Sequence, residues 1–408
     1  MADATDIVIA GGGLNGTALA LALASGGFTV TLVEPLAADT RAAPEFDGRS
    51  YALSIGSQRV LAALGLWSPL AAEAQPILDI RITDGNIGGG PSPFVLEFDH
   101  TEIEEGPMGY LVEDRHLRRA LLEAIESSSR ITHRTGATVE AHEPALSGIT
   151  VGLSDGATMN AGLLVGCDGK KSPTADRAGL RRQGWRYGQT ALVCSLAHKS
   201  PHHGTAHQYF LPSGPLAILP LTGNRSSIVW SEKSNIAAAV QQMDDASYLA
   251  ALTPRIGGFL GTIELAGARF AYPLELSLTA NMIAARVALV GDAAHAVHPI
   301  AGQGLNAGLK DVAALAEVLT DAKRRGEDIG AEDVLARYQR WRRFDIATLA
   351  LTTDAFNRLF SNDSPILRLG RGLGLDLVGK LPGLRRGFIR EAAGLTGERP
   401  RLAQGRPL

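Results

Sequence analysis

The sequence has only two cysteines in 408 residues, Cys167 and Cys194. That is too few for a disulfide framework, and their spacing is not the CxxC of a metal site, so a reducing compartment is expected. Both thiols read as small buried fillers. A long apolar run is also missing. The most apolar stretch, residues 17–24, is cut off by Ser25-Gly26-Gly27, well short of the ~20 residues that cross a bilayer. Membrane contact, if any, is therefore peripheral. No Lys or Arg precedes the first apolar segment, and the opening Met-Ala-Asp-Ala-Thr-Asp carries two acids, which argues against a secretory leader and makes the cytoplasm the expected location. A dominant charge is lacking too. The formal net charge of -3 gives no basic field for a phosphate backbone, so no nucleic-acid partner is expected.

Glycine, by contrast, is plentiful at 47 residues, within an otherwise globular composition of 45% hydrophobic and 20% charged residues. Single cores usually stop growing near about 250–300 residues, so the length predicts two intertwined lobes with room for a large ligand between them. Residues 6–10 (Asp-Ile-Val-Ile-Ala) read as a buried strand, 14–24 as a helix of small and apolar residues, and 28–33 as a second strand ending at Glu34. Together they make one βαβ unit. An amphipathic helix is expected over 114–125, with Asp114 as its N-cap and Leu117, Leu121 and Leu122 on one face. Another is expected over 305–319. Between about residues 181 and 272 the pattern changes to short alternating runs broken by Gly and Pro, which predicts a β-rich lobe. The strand expected at 286–290 then resumes the first lobe.

Three turns carry candidate chemistry. The first is Gly11-x-Gly13-Leu14-Asn15-Gly16, with Glu34 closing the next strand. Its glycines allow a tight turn, close approach of a pyrophosphate and close helix packing, and Glu34 can accept ribose hydroxyls. This half-site serves NAD and FAD alike. The second turn is Gly291-Asp292-Ala-Ala-His295, followed by His298-Pro299-Ile-Ala-Gly302-Gln-Gly304-Leu305-Asn306-Ala-Gly308-Leu-Lys-Asp311. Asp292 at a strand end can accept from a polyol, and the glycines expose amides able to hold an electron-rich ring carbonyl. The third is Asp168-Gly169 after the apolar run 163–166, a pairing that taken singly is usually just a turn.

In this order the three elements resemble the flavoprotein aromatic hydroxylases of the para-hydroxybenzoate hydroxylase fold, and residues 298–311 resemble the signature of the ubiquinone-biosynthesis hydroxylases. The likeness extends to Asp47-Gly-Arg49-Ser-Tyr-Ala52-Leu53-Ser54, Asp114-Arg115-His-Leu117, Phe210-Leu-Pro-Ser-Gly214-Pro215-Leu-Ala217, Phe360-Ser-Asn362-Asp363-Ser-Pro365 and Arg390-Glu391-Ala-Ala-Gly394. The resemblance implies FAD, with NADH or NADPH as a transient reductant. It puts Arg49 and Arg115 beside the flavin, Asp168 near the pyrophosphate or the passing nicotinamide, Asp292 on the ribityl hydroxyls, and Pro299 with Gly302 to Asn306 against the isoalloxazine. One departure stands out: the family continues its Asp-Gly turn as Ser-x-x-Arg, and here the sequence is Ser172-Pro-Thr-Ala175, with Arg177 nearby.

The implied fold is α/β: a Rossmann-like FAD-binding domain in three pieces (1–75, 101–180 and 281–345), a β-sheet substrate domain inserted as 76–100 and 181–280, C-terminal helices over 346–395, and a disordered tail over 396–408. The implied reaction adds one oxygen atom to a polyprenylated phenol, with dioxygen activated as a flavin C4a-hydroperoxide. Phe210, Pro215 and Leu219 are expected to line the ring pocket. His295, His298 and Pro299 are the catalytic candidates; the histidines either relay a phenolic proton or only cap the glycine-rich backbone. His202, His203 and His207 lack acidic or cysteine partners, so no metal is assigned. Residues 366–389 mix Leu, Ile and Phe with Arg and Lys. They read either as a patch lying on an anionic membrane or as core packing with a solvated basic face; separately, the resemblance implies a peripheral membrane contact or a ubiquinone-biosynthesis complex as partner.

Overall fold

The computed structural model describes residues 3–43, 48–86, 90–297, 302–360 and 381–408. Its first sheet has eight strands. The parallel strands at its centre run Ile131–Thr135, Val30–Glu34, Asp3–Ala10, Thr158–Gly166 and Val287–Leu289 in spatial order. Their β-branched runs are apolar at successive positions because both faces are covered. Ile7 and Ile9 pack under the helices Leu14–Ser25, Asp114–Glu126 and Gln303–Arg324, while Val8 and Ala10 point to the opposite side, toward Val151 and Leu164.

The second sheet has nine strands, and its long central strand is Arg182–His198. Strands Thr205–Leu211, Gly214–Leu221 and Arg225–Lys233 alternate strictly. Tyr209, Leu211, Leu216, Ile218, Ile228 and Trp230 face the helices Ser234–Gln241 and Asp245–Ile256. The intervening residues form an inner face turned toward the first lobe. There Phe210 packs with Ile55 and Ile77, and the ring of Phe270 closes over Gly48. A small antiparallel sheet, Ser50–Ser54, Gly109–Glu113 and Gln75–Ile77, lies between the lobes.

Three expectations change. The division at 345/346 falls inside one continuous helix, Glu332–Phe360, which joins the first lobe's core through Val334, Leu335 and Tyr338. Asp114 is the first residue of its helix rather than the cap; its carboxylate instead accepts from Arg118 Nε at 2.9 Å. The tail is packed: Leu402 and Ala403 are buried, and the amide of Arg401 donates to Glu317 at 2.6 Å. Its Arg, Pro and Gly content conceals packed apolar residues and a cation, Arg401, that meets the acids of the helix Gln303–Arg324.

Candidate flavin and ring site

All three signature turns leave the same edge of the parallel sheet, at the carboxyl ends of adjacent strands, where open α/β sheets bind their ligands. Gly11 holds φ at +99° and abuts the carbonyl of Cys167. A Cβ on Gly16 would come within 1.9 Å of the Gly11 carbonyl oxygen, so only glycine lets the helix close on the turn. Gly13, with Leu14 beside it, has open space where a Cβ would stand. It is the N-cap of the helix, with no side chain bonding the first amides, which leaves them directed at an anion.

Glu34 is fixed beside this turn: its Oε2 accepts the Gly12 amide at 2.7 Å and its Oε1 the Leu36 amide at 3.0 Å. A residue outside every motif joins them. Arg41, buried in the short helix Ala38–Ala42, donates to the Gly12 carbonyl, and burial lowers its pKa against the opposing charge of Glu34.

At the third turn, Asp168 accepts from Ser172 and from the Thr174 amide at 2.9 Å, so together with Gly169 it shapes the turn into the helix Pro173–Arg177. Arg177 reaches Thr174 at 3.4 Å, and Ala175 is fully buried where the family pattern has arginine.

Asp292 is half-buried at the second turn. The amide preceding it, from Gly291, donates at 3.0 Å to Asp311, a carboxylate with no exposure that also takes Arg342 Nε at 2.6 Å. Burial disfavours this charge, but His295 and Arg342 outweigh it and hold Asp311 below the ordinary carboxylate range. Asn15 fits between Gly291 and Gly308, where a Cβ on either glycine would strike its amide. Gly302, at φ +65°, caps the helix Gln303–Arg324 without a side-chain bond, and Gly304 has open space where a Cβ would stand. Next to them Leu305 is buried and Asn306 is a four-way tie. Its Oδ1 accepts Ser54 N at 2.9 Å and Ser57 Oγ at 2.7 Å, and its Nδ2 donates to Ala52 O at 2.8 Å and Gly302 O at 3.2 Å.

Arg49 lies against the start of the helix that carries Arg115, since the Asp114 amide donates to the Arg49 carbonyl at 2.9 Å. The Arg49 guanidinium lies 5.2 Å from the Tyr272 ring centre on the second sheet, and Arg115 bonds Glu113, which Arg225 also holds at 2.9 Å. Burial pushes the Glu113 acid up, and the two arginines more than reverse it. Phe210 and Pro215 stand directly opposite each other on the inner face, with Leu219 in the same apolar cluster as Phe210. His298 and Pro299 lie outside the described residues.

These features fit FAD. Two uncapped helix N-termini, two glycines with open space beside them and a fixed acid at a strand end follow the carboxyl ends of adjacent parallel strands, able to receive a pyrophosphate, a ribose and a ring carbonyl. Residues 4–351 match the FAD binding domain family. The chain belongs to that family. It is 43% identical over 99% of its length to the ubiquinone hydroxylase UbiL of Rhodospirillum rubrum, covering 93% of that relative. It is 34% identical to the 3-demethoxyubiquinol 3-hydroxylase of Escherichia coli, with 96% of this chain and 99% of that one aligned. Among solved structures, p-nitrophenol 4-monooxygenase PnpA of Pseudomonas putida superposes with a TM-score of 0.81 at 21% identity, covering 98% of this chain and all of that one. This member of the flavoprotein monooxygenases therefore uses FAD.

Sequence reasoning missed Arg41 and Arg342, both cations buried by tertiary packing. Asp311 stood in the quoted signature without a role. His295 is enclosed, its side chain 1% exposed and its Nε2 held by Asp311, which favours a structural role over proton relay to a substrate.

Proposed function

We propose that the protein hydroxylates the ring of a polyprenylated phenol in ubiquinone biosynthesis, taking hydride from NADH or NADPH and oxygen from O2. The observation that carries this reading is the apolar inner face of the second sheet closing over Gly48 and Arg49, beside the flavin crevice. The names of the relatives point the same way. Bound FAD would supply the reductive activation of dioxygen. The chain's part is positional: the Gly11–Gly16 turn and Glu34 would hold the adenosine half, and Asp292, with the helix beginning at Gln303, the ribityl chain and ring. Phe210, Pro215 and Leu219 would exclude water from the reacting ring. Arg49 and Arg115 would set the charge at the crevice mouth.

No described helix is long and apolar enough to cross a membrane. A prenylated substrate would bring the protein to the membrane surface as a peripheral partner. Of the basic apolar segment, residues 366–380 lie outside the described residues; beyond them Leu381 and Phe388 are exposed, with Arg386 and Arg390 alongside.

The test is anaerobic reduction of the FAD-loaded protein by NADH or NADPH, then air, with and without a short-chain prenylphenol, followed by mass analysis. A phenol heavier by one oxygen is expected. Flavin that reoxidises and leaves every phenol unmodified would transfer the assignment to another substrate or to a non-catalytic role in a biosynthetic complex.

A further inference from the structure

The inner face of the second sheet carries two polar groups with nothing to bond. Gln208 stands opposite Ile82 on one neighbouring strand and Ala217 on the other, with Ala206 and Phe210 beside it along its own strand on that face. Its Nε2 is buried and makes no hydrogen bond. Ser227, 1% exposed, stands opposite Leu219, and its Oγ is likewise buried and unpartnered. Such groups are rare in folded proteins, because each gave up its water without replacement. Both alternate with residues of the outer cluster, Tyr209 and Ile228, so both look inward, toward the side where Phe270 and Tyr272 meet Gly48 and Arg49.

Beside them lies a small side chain, Ala217. Ala217 is opposite both Gln208 and Val229, and it is half-buried between the buried Phe210 and Pro215 on one side and Leu219 on the other. Two strand spacings separate Gln208 from the strand of Ser227, roughly 10 Å, a gap that long side chains narrow. We infer that the substrate's aromatic ring lies over Ala217, with its oxygen substituents hydrogen-bonded by Gln208 Nε2 and Ser227 Oγ. This rests on the hydroxylase reading and deepens it. The two groups bear on which rings are accepted, since a site with buried unpaired donors rejects a ring lacking the matching oxygen.

The probes are a short-chain prenylphenol that carries a second ring oxygen as a methoxy group and the prenylbenzene that lacks both oxygens, titrated into FAD-loaded protein and followed by the change in flavin absorbance. Wild type should bind the phenol more tightly. Gln208→Leu and Ser227→Ala should each weaken phenol binding by about tenfold and leave prenylbenzene binding unchanged. Ala217→Leu should abolish binding of both rings. Without ligand, Gln208→Leu and Ser227→Ala should melt at or above the wild-type temperature, because the free protein leaves those atoms unpaired. Wild-type phenol affinity in Gln208→Leu and Ser227→Ala would overturn the inference, as would a lowered melting temperature with both rings lost together. Failure of wild type to respond to any phenol would instead remove the hydroxylase reading, and this inference with it.

Discussion

The Nε2 of His295 lies 2.5 Å from Oδ2 of Asp311, and neither side chain meets solvent to any useful extent. The same oxygen takes the Gly291 amide, and Arg342 occupies the other. Asp311 thus locks the turn that presents Asp292 onto two helices at once, Gln303–Arg324 and Glu332–Phe360. A carboxylate is needed there, because an amide cannot offset the buried Arg342.

Asp311→Asn should therefore destabilise the protein by about 3 kcal/mol, the low end of the usual cost of breaking a buried ion pair, because Arg342 keeps its second partner Asp345 at 2.8 Å. Denaturant unfolding at neutral pH measures it. Combining Asp311→Asn with Arg342→Met should recover part of the loss, since the stranded charge is then gone. A double variant as unstable as the sum of the two singles would remove the ion-pair explanation.

Asn306→Ala should lower FAD retention more than global stability. Its four bonds join the flavin-facing start of the helix Gln303–Arg324 to Ala52, Ser54 and Ser57, and each neutral bond contributes on the order of 1 kcal/mol. The expected outcome is FAD released on dialysis from a protein whose circular dichroism is unchanged. Asn306→Asp, which sets a buried carboxylate oxygen against the Ala52 and Gly302 carbonyls, should lose at least as much FAD.

The parts of this site legible in the sequence are those where the backbone itself dictates the residue. Gly11 and Gly16 are forced by a positive φ and a helix touching its own turn, and Glu34 ends a strand whose length is fixed by its partners. Arg41, Asp311 and Arg342 were hidden for the opposite reason. Charged residues read as surface until packing encloses them, and the separation of 31 positions from Asp311 to Arg342 carries no periodic signal. Gln208 and Ser227 needed the strand register, because a slip of one residue would turn both outward. The closing residues misled by composition, because their Arg and Pro content reads as loop although Pro400, Leu402, Ala403 and Leu408 pack.

Deleting residues 401–408 should cost stability, although the segment reads as a dispensable tail. Leu402 loses a fully buried environment, worth about 1.5–3 kcal/mol, and Glu317 loses the Arg401 amide. Chemical denaturation of the truncated protein should show a lower midpoint. An unchanged midpoint would mean that neither the burial of Leu402 nor the contacts with Glu317 and Asp321 contribute in solution.

His207 makes the fold acid-sensitive above the range where carboxylates titrate. Burial between Phe259, 4.5 Å away ring to ring, and its own strand pushes its pKa down to about 4, with Arg81 adding to the shift. An unfolded histidine protonates near about 6.5. Below that pH the unfolded chain holds a proton that the folded chain refuses, so stability falls as pH drops from about 6.5 to about 4 and levels off below. The gap amounts to roughly 3 kcal/mol at full extent. His207→Leu keeps the apolar packing and removes the titration, so its unfolding free energy should stay flatter across that window while the two proteins differ least near neutral pH. Equal slopes for His207→Leu and wild type between pH 6.5 and 4 would show that the acid sensitivity resides in another group.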